Sequence, residues 1–127
     1  MASTFCAFVR RDRLPTAAQV SRALSSRGDR VALRTESGLD QVGGTLAVEV
    51  NGAAVSVGFQ VVPSASLVDG ASGDLGPVLR NSDLRIAVSG EGAEGERWAR
   101  EVARGVAILG VGAFHNTQSG AVLFYGG

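Results

Sequence analysis

TLAVEVNGAAVSVGFQVV, residues 45–62, reads as two strands joined by a two-residue turn. Asn51-Gly52 supplies the two positive-φ positions that such a turn requires. Pairing outward from it sets Val50 against Ala53, Val48 against Val55 and Leu46 against Val57. Every one of those pairs is apolar, while Glu49, Ser56 and Gln60 go to the other face. A slip of one residue would destroy the match, so the register is specified by the side chains as well as by the turn. A strand of this kind needs a sheet around it, and the rest of the chain supplies one.

Toward the N-terminus, RVALRTE at 30–36 alternates with period two and predicts a half-buried strand. Before it, Thr16 and Gln19 have the spacing of a capping box, which opens a helix running to about Arg27. Gly28 is its left-handed stop. Ala17, Val20, Ala23 and Leu24 share one narrow face, suited to lying close on a sheet. TFCAFV at 4–9 is apolar on both faces and predicts a strand in mid-sheet, with Cys6 as a small buried hydrophobe. The run Arg10-Arg11-Asp12-Arg13 ends it as a solvated loop.

Toward the C-terminus, residues 63–81 turn to Ser, Gly, Asp and Pro and form a long connection. Connections of that length inside a compact domain are usually functional or mobile. LRIAVS at 84–89 gives a strand with Leu84, Ile86 and Val88 inward. A helix follows from about Glu94 to Leu109, with Trp98, Val102, Val106 and Leu109 as its apolar stripe. GAFHNTQSG reads as a loop, and AVLFY at 121–125 as a closing strand. The expected fold is a single α+β domain over 1–127, a ferredoxin-like sandwich. Its sheet is antiparallel or mixed, of about five to six strands, with two helices on one face.

Gly90, Gly92 and Gly95 have the G-x-G-x-x-G spacing between a strand and a helix, the setting in which a dinucleotide's pyrophosphate binds. Three features oppose that reading. Glu91, Glu94 and Glu96 would meet the phosphates with negative charge at the end of the helix dipole that they themselves already favour. No acidic residue follows Glu101 to hold a ribose. Only some 30 residues remain, where the motif opens a parallel domain. The glycines are expected to shape the turn and the glutamates to cap the helix or form an acidic knob for a basic partner.

Composition narrows the function further. Twelve basic and twelve acidic residues balance, which removes the electrostatic case for nucleic acid or an anionic membrane. All twelve basic residues are Arg, a usage that suggests a GC-rich bacterial genome. A chain without Lys has no Schiff-base nucleophile. One Cys allows no internal disulfide. No run approaches a membrane span or a targeting signal, so the expected location is the cytoplasm. His115, with Asn116 beside it, is the possible site for a general base or a small ligand. Neither it nor Cys6 has companions at metal-ligand spacing, and no metal or cofactor is expected.

The segment NSDLRIAVSGEGAEGERWAREVARGVAIL and the GAVLFY that follows resemble small bacterial proteins of toxin–immunity systems. There a strand leads through an acidic glycine turn into a long amphipathic helix; Leu84, Ile86, Val88, Ser89 and Trp98 are the matching positions. That resemblance implies an intracellular protein that neutralises a cognate toxin by binding and occluding it. The surface expected to do so comprises Glu91, Glu94 and Glu96 with the loop around Asp69 and Asp74. The alternatives are a small-molecule binder or enzyme with its site near His115, and a homo-oligomeric subunit that pairs through an edge strand.

Overall fold

The structure, a computed structural model, describes residues 3–25, 28–35, 38–39, 44–63, 83–117, 119–120 and 122–125. Among the described residues seven strands form one antiparallel sheet, and two helices pack on one of its faces. In chain order the elements are β1 (Ser3–Val9), α1 (Ala17–Ser25), β2 (Val31–Arg34), β3 (Gly44–Val50), β4 (Ala53–Pro63), β5 (Leu84–Gly90), α2 (Gly92–Leu109), β6 (Ala113–Asn116) and β7 (Val122–Phe124). Across the sheet the order is β2-β3-β4-β5-β1-β6-β7. A single 3-10 turn, Arg11–Arg13, follows β1.

The hairpin forms in the register that its apolar pairs require: Leu46 opposite Val57, Val48 opposite Val55, Val50 opposite Ala53. Asn51 and Gly52 hold φ of 53° and 89° at the turn, the conformation that asparagine and glycine tolerate best. Asn51 also ties the turn to β2, since its Oδ1 accepts from the Arg30 N–H at 2.9 Å and its Nδ2 donates to Asp29 at 3.0 Å.

β1 lies between β5 and β6, which explains its unbroken apolar run. Phe5, Ala7 and Val9 point to the helices; Cys6 and Phe8 are buried on the far side. The capping box forms, with Thr16 and Gln19 exchanging backbone-to-side-chain bonds of 2.9 and 3.1 Å. Gly28 takes the left-handed φ of 101°. The core joins Val20 and Leu24 of α1 and Trp98, Val102 and Val106 of α2 to the inward residues of the strands. Truncating one such leucine or isoleucine to alanine costs about 2–5 kcal/mol.

Three expectations need correction. The sheet has seven strands rather than five or six, because GAFHNTQSG is not all loop: Ala113–Asn116 pair with β1 as β6. Four residues are too few to show a period. What makes them a strand is the burial of Ala113 and Phe114 and a stacked contact of Phe114 on Phe5 at 6.1 Å. The second helix starts at Gly92, not Glu94. Leu109, placed on its apolar stripe, is 39% exposed because the helix runs past its core there. The long connection lies outside the described residues from 64 to 82.

Candidate functional site

The strand–turn–helix junction at residues 90–95 is built by contact between glycines. A Cβ on Gly90 would stand 2.0 Å from the carbonyl oxygen of Gly95, so the strand end and the first helical turn touch backbone to backbone. Gly92 holds φ of 74° at the first helical position. The glycine spacing is thereby accounted for by packing and turn geometry.

The three glutamates stand on this rigid junction, but not as side-chain caps. Glu91 is the N-cap residue, with extended φ and ψ of −112° and 145°, and its carboxylate makes no capping bond. Glu94 accepts a hydrogen bond from the Trp98 indole Nε1 at 3.1 Å, satisfying the one polar atom of a core side chain. Arg97 lies over the Trp98 ring, 4.9 Å from its centroid, and reaches Asp29 at 3.7 Å. Glu91 and Glu94 are exposed and Glu96 is half-buried; none of the three is ion-paired among the described residues. Their charge still favours the helix, which has its positive dipole end there. Asp69 and Asp74, expected beside them, lie outside the described residues.

Next to Glu91 the open face of the sheet carries a depression of about 270 Å³, lined by Thr45, Ser56, Gly58, Ser89 and Gly90. Thr45, Gly58 and Ser89 are register partners across β3, β4 and β5. A Cβ on Gly58 would fall 2.3 Å from the Ser89 hydroxyl, so this glycine makes the space into which the hydroxyl points. No motif in the sequence marked this row, because its members come from three strands.

His115 and Asn116 are successive residues of β6 and so point to opposite faces. His115 faces away from the helices, with its ring 6.4 Å from that of Phe8. Asn116 closes the next turn: its Oδ1 accepts from the Ser119 N–H at 3.4 Å. The two cannot serve one site. Instead the sheet brings His115 directly opposite Cys6, a neighbour that chain separation had hidden. Burial pushes the Cys6 thiol pKa up, with the Arg85 charge acting the other way, and burial pushes that of His115 down. At neutral pH this pair is therefore an uncharged thiol beside an uncharged imidazole, without the thiolate that nucleophilic chemistry needs. Among the described residues no group of three His, Cys, Asp or Glu side chains could hold a metal. Among the same residues no helix is long and apolar enough to cross a membrane.

The two outer strands differ sharply. Beyond β2 lies α1, and its serines take up the outward backbone groups of the strand. Ser25 Oγ donates to the Val31 carbonyl and accepts from the Val31 N–H, both at 3.0 Å, and Ser21 Oγ accepts from the Leu33 N–H at 2.9 Å. Beyond β7 no strand follows among the described residues. The four large apolar side chains left exposed among the described residues, Ile108, Leu109, Val111 and Leu123, all lie in β7 or in the chain leading into β6.

No protein-family model, curated protein or solved structure matches the chain.

Proposed function

We propose that this chain is a protein-binding module, and that the acidic end of α2 is the contact through which it holds a basic partner. The resemblance in the sequence gives the partner's class: a cognate toxin, occluded by direct binding in the manner of an immunity protein, within the cytoplasm. The observation that carries the reading is the placement of Glu91, Glu94 and Glu96. Three carboxylates without counter-ions among the described residues stand on a junction locked by the Gly90–Gly95 contact. Unneutralised charge on a packed backbone speeds and orients association with a surface of opposite sign, and the backbone beneath it needs no ordering on binding. The ferredoxin-like assignment belongs with this proposal: β4-β5-β1-β6 in the sheet, with α2 between β5 and β6, is its four-stranded core, and β2, β3 and β7 extend it.

The test is calorimetric titration of the purified chain with the product of the adjacent reading frame, at low and at physiological salt. Wild type should bind tightly. A variant carrying Glu91→Gln, Glu94→Gln and Glu96→Gln, in which residue 94 keeps an acceptor for Trp98, should bind at least about tenfold more weakly and lose its salt dependence. Equal binding by both proteins would remove the acidic surface as the contact, and no binding by either would remove the toxin reading.

A further inference from the structure

We propose that β7 is a self-pairing edge through which two copies of this chain join into one continuous sheet, independently of the acidic surface. The direction of its backbone groups follows from one bond. The Tyr125 N–H donates to the Gly112 carbonyl at 2.8 Å, so residue 125, and by alternation residue 123, turn their peptide groups toward β6. Val122 and Phe124 turn theirs outward, and among the described residues nothing is bonded to them. Only another extended strand presents donors and acceptors at the spacing that these groups require.

The same geometry selects a second copy as that strand. A two-fold axis through Leu123 sets Val122 opposite Phe124 of the other copy, as pairs that exchange both backbone bonds, four in all. Leu123 then meets its own equivalent at the closer, non-hydrogen-bonded position, with a Cα separation of about 4.5 Å. Leu123 is on the helix side of the sheet, since its partner Phe114 lies in the core, and it is 50% exposed. Pairing with itself covers a leucine that the single chain leaves in water. No residue of Val122–Phe124 is charged, so the symmetric arrangement sets no like charges against each other, and the chain's net charge of zero adds no repulsion. An edge kept single in solution is ordinarily very short or carries a charge, a proline or a cover; β7 is short, but its described part has no charge, proline or cover.

Sedimentation velocity over a concentration series tests this, together with Leu123→Lys and with Leu123→Cys under mild oxidation. Circular dichroism confirms that each variant is folded. Wild type should sediment as twice 13.0 kDa. Leu123→Lys, which faces two ammonium groups across the axis, should raise the dimer dissociation constant roughly tenfold or more. Leu123→Cys should yield a covalent dimer, because the Cα spacing at the axis suits a disulfide, while Ile108→Cys should not. A wild-type monomer at every concentration overturns the proposal, whether or not another protein's strand takes the edge. So does a dimer indifferent to Leu123→Lys, or one that cross-links through residue 108 and not 123.

Discussion

The two outer strands of this sheet face the same hazard and meet it differently. β2 is four residues long and ends in Arg34, whose guanidinium is hydrogen-bonded to Glu49 on β3. Both backbone groups of Val31 and the N–H of Leu33, which turn outward, are taken up by Ser25 and Ser21, so a helix does much of the work of a missing strand. β7 is as short but apolar, and its outward groups have no described partner. An edge is closed by side chains that come from elsewhere in the chain, not by the strand's own composition alone. Where the fold supplies them, the sheet ends; where it does not, the sheet can continue.

The contrast is broken most severely at Gly112, which sits where α2 passes into β6 and holds Tyr125. A Cβ there would stand 2.0 Å from the carbonyl oxygen of Phe8. Gly112→Ala should cost about 3 kcal/mol, because backbone on both sides must shift. Urea unfolding would show it, accompanied by loss of the β7 edge and of any dimer. A smaller effect is expected at the closed edge. Ser25→Ala leaves both backbone groups of Val31 without a partner, costing about 1–2 kcal/mol after the better helix propensity of alanine, worth about 0.5 kcal/mol, is set against it. The same variant, joined to Ser21→Ala, should turn β2 into a second sticky edge, and light scattering against concentration would report it.

The smallest effect separates the two edges by pH. His115 is the register partner of Val122 on β7, and its folded pKa lies below the usual 6.5 through partial burial. As pH falls, the unfolded chain takes up the proton first. The stability linked to this group is thus complete above pH 6.5 and is lost as pH drops from there through the folded pKa. Amide protection factors, taken relative to the intrinsic exchange rate at each pH, should fall in β6 and β7 over that window while those in β2 stay unchanged. His115→Gln should abolish the difference.

Much of the fold was legible in local pattern. The Asn51-Gly52 hairpin, the Thr16–Gln19 box and the inward triplet of β5 each carry their instructions within a few residues. The acidic run at the start of α2 was visible for the same reason. What local pattern does not carry is pairing between distant segments. Neither the closure of β2 by two serines nor the meeting of Cys6 with His115 has any signature in spacing. β6 has no local signature, because its strand character resides in its contacts with Phe5 and Phe8 of β1, far from it in sequence. Glu94 looked like a partner-binding charge and also serves the Trp98 indole, a link that i,i+4 spacing could have suggested.

The place of β1 has a consequence for biosynthesis. It is made before every other strand of the sheet, yet both of its neighbours, β5 and β6, come from residues 84–116. The hairpin of β3 and β4 can close before β5 has been made, but Phe5, Ala7 and Val9 have no neighbouring strand to join until residues 84–116 have left the ribosome. Until then an apolar heptapeptide, STFCAFV, waits uncovered. The core therefore closes only once residue 116 has been made, and the first strand is the segment of this sheet that chaperones would meet longest.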